Sequence, residues 1–319
     1  MTCRRLGLFL LPLVLALTLS AATVPSPKLA ADQWLTNAAA QFPSGISKTQ
    51  LRPGDFQNLR AEAIGGKLRI FWTPERLSAN ASVKLLASAD APGHWPARDW
   101  RSRPMTLRGP HWEASLPVDD VDVPMIYFAV ATEAGKTNVS PLRICQPRIA
   151  GLEEPTRVFW PFVEGFEEGA ESWRLLSAPS STASLKTAPT AKNGLAALLV
   201  TVPESKRSVT VATTRVRGWQ LQKQHATGLQ LWLRTRSGKG RARFTLLAQA
   251  FTPEQVVAVS PREVTLTTQW QKVDVLFSDF PKLPVGAVDL FTIEFMGGGA
   301  QEFLVDELQL LGPWKLDPE

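Results

Sequence analysis

Gly228-Leu-Gln-Leu-Trp-Leu-Arg-Thr-Arg236 alternates apolar and polar side chains almost without a break. A period of two puts successive side chains on opposite faces of a strand, whereas an amphipathic helix needs apolar residues three and four apart. Leu229, Leu231 and Leu233 are therefore expected to enter a core, and Gln230, Trp232, Arg234 and Arg236 to face away from it. Ser237-Gly-Lys-Gly240 reads as a turn and residues 241–250 as a returning strand. On that strand Phe244, Leu246 and Ala248 suit the core, leaving Thr245 and Gln249 opposite.

The pattern extends in both directions. Residues 196–202, 208–216, 270–277, 290–296 and 302–311 read as further short strands between Gly and Pro punctuation. About seven or eight such strands over 162–312 suit a jelly-roll sandwich. Residues 55–148 carry the same signature at 67–72, 82–88, 112–116, 124–131 and 139–144, with turns at Gly65-Gly66, Gly109-Pro110 and Glu133-Ala-Gly135. The expected fold class is all-β: two β-sandwich domains, the second a jelly roll. Residues 149–161 are expected to link them and 313–319 to form a tail.

The chain of 319 residues suits about two domains, and 44% hydrophobic with 20% charged residues is ordinary globular composition. The net charge of +6 is spread along the chain, and Arg4 and Arg5 contribute to it from a segment expected to be removed, so nucleic acid is not an expected partner. Residues 1–22 combine a basic start, an apolar run from Leu6 to Leu19 and a small-residue exit at Ser20-Ala-Ala22. That is the form of an export signal, with no second apolar run long enough to span a membrane. The chain is expected to be exported, to the periplasm or outside a bacterial cell, with no stable membrane insertion after cleavage. Residues 23–54 read as a leader and linker in which 32–41 forms a short helix. Cys3 lies in the export signal, which leaves Cys145 without a disulfide partner, as a small buried hydrophobe.

Several motifs of the second half occur in a familiar order. They are Gly165-Phe-Glu-Glu168, Ser172-Trp173, Asn193-Gly-Leu-Ala-Ala-Leu198, Gly228-Leu-Gln-Leu-Trp-Leu-Arg234, Trp270-Gln-Lys-Val273, Phe277-Ser-Asp-Phe280 and Phe303-Leu-Val-Asp-Glu-Leu308. This order resembles the galactose-binding-like jelly rolls, especially carbohydrate-binding modules and the complex I intermediate-associated family. In the first half, Trp112-Glu-Ala-Ser-Leu-Pro117, Ile126-Tyr-Phe-Ala-Val-Ala131 and Ser140-Pro-Leu-Arg143 resemble immunoglobulin-like and fibronectin-like accessory modules. The first resemblance implies a structural calcium, held by Glu167 or Glu168 together with Asp306, since calcium takes several hard oxygens. It also implies a sugar site on a sheet face. Alternation assigns Gln230, Trp232 and Arg234 to that face, together with Gln249 and, from the apolar set Phe291, Ile293 and Phe295, Thr292 and Glu294. Indole stacks on a sugar ring, and amide, guanidinium and carboxylate groups bond its hydroxyls.

Arg234, Arg236, Lys239, Arg241 and Arg243 would cluster if the two strands paired across the turn, and would then attract an acidic polysaccharide. The other reading is a charged edge that prevents aggregation. Trp95 and Trp100 offer a second stacking surface or a loop packed on the first sandwich. His94, His111 and His225 lack metal-ligand spacing. Neither a nucleophile elbow nor a phosphate loop is present, and Asp119, Asp120 and Asp122 read as turn residues. The chain is thus expected to be a non-catalytic carbohydrate-binding accessory protein. The alternative is a cell-envelope structural or assembly protein that grips another protein through its sandwiches.

Overall fold

The computed structural model describes residues 59–314 except 75–76, 90–97, 141, 158–160, 168, 171, 177–182 and 237. The expected export signal, the leader with the helix expected at 32–41, Trp95, Glu168 and the tail beyond 314 lie outside the described residues.

The first sandwich runs through Leu59–Ile64 (β1), Lys67–Trp72 (β2), Ser82–Ala89 (β3), Arg101–Pro104 (β4), Thr106–Arg108 (β5), His111–Leu116 (β6), Met125–Glu133 (β7), Lys136–Val139 (β8) and Arg143–Cys145 (β9). Its antiparallel sheets have the orders β1-β2-β6-β5 and β4-β3-β7-β8, with β9 also on β7. Lettered in chain order this is A-B-E-D against C′-C-F-G, the strand order of immunoglobulin-type sandwiches. The agreement is one of strand order; family membership for this half stays an expectation. The near-continuous apolar run of β7 has a direct cause. Met125, Tyr127, Ala129 and Ala131 enter the core between the sheets, while Phe128 and Val130 are covered from outside with Leu86 and the edge of Trp100. A strand buried on both faces loses its alternation. Residues 139–144, expected as one strand, divide between β8 and β9.

The second sandwich comprises Phe162–Glu164 (β10), Trp173–Leu175 (β11), Ser184–Ala188 (β12), Ala197–Val202 (β13), Ser208–Thr213 (β14), a short helix Gly218–Lys223 (α1), Gly228–Thr235 (β15), Gly240–Ala248 (β16), Val256–Val259 (β17), Val264–Leu266 (β18), Gln271–Leu276 (β19), Val288–Met296 (β20) and Gln301–Leu311 (β21). One sheet has the order β12-β13-β21-β15-β19 with β10 on β21, the other β11-β14-β20-β16-β17 with β18 on β16. All pairings are antiparallel. Two antiparallel sheets joined by long crossovers make this domain a jelly roll. The expected alternation holds: Leu229, Leu231, Leu233, Phe291, Ile293 and Phe295 are fully buried. Stacked rings, Phe295 with Phe303 at 4.8 Å and Phe244 with Phe291 at 6.1 Å, fill the space between the sheets.

One expectation is overturned. β15 and β16 do not pair as a hairpin; the turn between them carries the chain from one sheet to the other. The step occurs at Gly240, where a Cβ would stand 2.4 Å from the Phe303 ring, so no larger residue fits. Arg234 and Arg236 therefore lie on a different sheet from Arg241 and Arg243, and the five cations do not form one cluster.

Residues 149–157, expected as linker, pack on the first sandwich. Leu152 joins its core, Ala63 N–H donates to Ala150 O (3.2 Å), and Thr156 N–H donates to Val118 O (2.9 Å). Charged groups hold the two sandwiches together. The Asp99 carboxylate lies 2.9 Å from Arg101 and 3.6 Å from Arg215 of the second domain, and Arg215 reaches Glu164 at 3.4 Å. The acidic turn docks α1: Lys223 meets Asp120 at 2.6 Å and the Gln220 amide donates to Asp119 at 3.4 Å. Burial pushes the Asp99 carboxyl up, but Arg215 and Arg101 more than offset this and hold it below the usual carboxylate range.

Candidate functional site

The outer face of the sheet containing β15 can be read row by row from its register. One row runs Ala188, Ala197, Asp306, Trp232, Lys272; the next runs Lys186, Leu199, Leu304, Arg234. One step beyond the paired part of β19, Trp270 lies against Arg234, whose guanidinium sits 4.8 Å from the indole centroid. Ala197, Leu199 and Leu304 form a small buried apolar cluster with Ala188, Ala191 and Trp270 around it. At the other end of the face Gln230 donates to Asp274 (2.7 Å) and accepts from Gln309 (2.5 Å). Both indoles are half-buried. Trp232 carries Lys192 over its ring, Nζ at 4.7 Å from the centroid.

Lys192 comes from the loop between β12 and β13, and two carboxylates hold that loop in place. Asp306 Oδ2 accepts from the N–H groups of Lys192 (2.6 Å) and Asn193 (3.3 Å), while its Oδ1 accepts from Glu307 N–H (2.8 Å). Glu167 Oε1 accepts from Leu195 (2.8 Å) and Ala196 (3.3 Å). Gly194, at φ +71°, passes so close to Glu167 that a Cβ there would stand 2.1 Å from its oxygen. Burial raises the Asp306 carboxyl above its ordinary value, against the pull of its backbone donors. The residues expected to hold calcium are thus engaged as acceptors for this loop. No group of three or more His, Cys, Asp or Glu suited to a metal occurs among the described residues.

Of the five expected sugar-binding residues, Gln230, Trp232 and Arg234 share this face, whereas Gln249 and Glu294 do not. Glu294 lies on β20 and pairs with Arg243 of β16, on the outer face of the opposite sheet. Gln249 follows β16 at φ +52°, and its backbone carbonyl accepts from Thr252 Oγ1. Alternation tells inward from outward but not which of two outward surfaces a strand belongs to. Trp270, Lys192 and Lys272 were missed for the same reason, because each joins the site through pairing or a loop distant in sequence. Trp270 opens the Trp270-Gln-Lys-Val273 motif, and its place just before β19, the strand that pairs with β15, is the signal that points to it. On the opposite face Arg241 pairs with Glu263 at 2.6 Å, so both arginines of that strand are neutralised. Cys145 is half-buried, and burial pushes its thiol up to about 11, as suits a packing residue rather than a nucleophile.

No family model matches the chain, and no curated protein matches it. Solved structures do resemble it. One is a family 11 carbohydrate-binding module from Clostridium thermocellum in complex with a β-1,3-1,4-mixed-linked tetrasaccharide; it is 16% identical with a TM-score of 0.40, over 49% of this chain and 97% of that one. Another is the CBM22-1 xylan-binding domain of Paenibacillus barcinonensis Xyn10C, 16% identical with a TM-score of 0.35, over 48% of this chain and 96% of that one. A third is an exo-β-agarase, 8% identical with a TM-score of 0.38, over 49% of this chain but 26% of that one. Likenesses this distant carry no residue role or ligand to this chain, whose architecture rests on its own strand order.

Proposed function

We propose that this chain is an exported, non-catalytic carbohydrate-binding protein, and that its ligand lies across the outer face of the β12-β13-β21-β15-β19 sheet. One observation supports this above the rest: Trp232 and Trp270 stand on the same outer face, beside Arg234 and Lys272 and next to the Gln309–Gln230–Asp274 relay. Aromatic surface beside oriented amides, cations and a carboxylate is the chemistry that holds a sugar ring and its hydroxyls. The test is a glycan array and calorimetric titration of the purified chain beside its Trp232→Ala/Trp270→Ala form. Loss of at least about a hundredfold in affinity, roughly 2.7 kcal/mol, is expected. Binding that survives the double substitution rejects the site, and no binding to any glycan rejects the function.

The second reading, a cell-envelope assembly protein that binds another protein, draws on the edge strand β17. There Val257 and Val259 are 41% and 49% exposed. An edge with exposed valines can accept a strand from a partner. No helix among the described residues is long and apolar enough to cross a membrane.

A further inference from the structure

We infer that the ligand of this face is an anionic polysaccharide, one bearing carboxylate or sulfate groups, read by Lys192 and Arg234 as their indoles hold them in place. The inference rests on the carbohydrate-binding reading above and names its ligand class.

Lys186, Lys192, Arg234, Arg236 and Lys272 share the face or its rim. Arg236 has a carboxylate partner, Glu302 at 3.0 Å. The other four have no carboxylate within ion-pair distance among the described residues. Asp306, beneath Trp232, offsets little of this, because it is fully buried and its oxygens are committed to three backbone N–H groups. Asp274 is exposed and engaged by Gln230, while Glu307 and Glu167 accept from groups of the Lys192 loop. The four cations without a carboxylate partner outnumber these three carboxylates.

Two of the cations are also held in place. Lys192 lies over Trp232 and Arg234 over Trp270, and a cation attracted to a ring face keeps its charge while losing part of its freedom. The Arg234 Nε is buried with no hydrogen-bond acceptor. A guanidinium stacked on an indole still presents its edge, which fits a carboxylate or sulfate in two parallel hydrogen bonds. Each indole thus carries a cation, so that a charged group on a bound sugar meets a fixed partner beside the aromatic surface. Trp232, which carries Lys192, and Arg234 are two apart on β15, about 7 Å along the strand, so both cations can be met by one extended chain.

The test uses the purified chain with polygalacturonate and its fully methyl-esterified form, and with dextran sulfate and dextran, each pair matched except for charge. Poly-glutamate serves as a polyanion without sugar. Tighter binding of either charged polymer than its neutral partner, by at least about tenfold, is expected, and the favoured pair identifies carboxylate or sulfate. Raising salt from about 50 to about 500 mM should weaken that binding about tenfold or more, since such contacts are screened. Lys192→Met and Arg234→Gln, each checked for an unchanged melting temperature, should each remove most of the preference. A conservative Arg234→Lys should restore part of it. Equal binding of charged and neutral partners overturns the anionic assignment and leaves carbohydrate binding standing. Poly-glutamate bound as tightly as the sugars, or a preference untouched by both substitutions, overturns the site. No glycan bound at all sinks the underlying reading.

Discussion

The two outer faces of the second sandwich are built from the same alternation yet handle their charges in opposite ways. On the β16–β20 face, Arg243 meets Glu294 and Arg241 meets Glu263, so the arginines are neutralised by neighbours on or beside the same sheet. On the β15–β21 face, Arg234 and Lys192 lie on indoles and have no carboxylate. A paired arginine on an exposed sheet guards the surface and contributes little to stability. A cation resting on an aromatic ring remains available to an outside anion. Neighbouring positions in sequence, 234 and 243, thus play different parts because they belong to different layers.

The strongest way to break this comparison is to attack the alternation beneath both faces. Leu231→Asp places an unpaired carboxylate among fully buried residues and should cost more than about 4 kcal/mol, enough to prevent folding. Trp232→Ala, one residue on, should leave a cooperative urea transition within about 2 kcal/mol of the parent. Similar losses for both would refute the assignment of inward and outward sides. A smaller effect is expected at Gly194→Ala, which adds a Cβ against Glu167 at a left-handed backbone position. A loss of about 1–3 kcal/mol, with weaker glycan binding as Lys192 leaves Trp232, would tie the loop to the face; unchanged binding would separate them.

Glu294→Gln, on the opposite face, should cost less than about 1 kcal/mol, less still at high salt, and should not alter glycan binding. The smallest effect concerns Asp306. Its folded carboxyl is raised by burial above the ordinary Asp value of about 3.9. Stability associated with its protonated form is therefore full below that value and is lost as pH rises through the folded one. A carboxyl-carbon NMR titration should show a midpoint above the ordinary value. A midpoint below it would mean that the backbone donors, not burial, dominate beneath Trp232.

Much of the architecture could be read in advance, and the reasons are local. β2 was placed at its observed limits, and β13, β19, β20 and β21 to within two residues, because each alternates or is continuously apolar between turn residues. β10, β11, β12, β17 and β18 escaped notice: they are three to five residues long, too short for a period to register. Of the five residues expected to bind sugar, three share one face and two do not. Glu167 and Asp306 stand out as acidic positions near the domain's ends, but their task of holding the Lys192 loop shows only once the loop has folded back between them.

By itself the sequence determined which side of each strand turns inward, since that depends on residues two apart and on nothing further away. Tertiary structure alone decided which outward residues became neighbours, because strand partners here come from distant parts of the chain: Gln230 bonds Gln309, 79 residues on. Pairing of that range is settled by the closing of a shared core, a property of the whole domain that no local window contains.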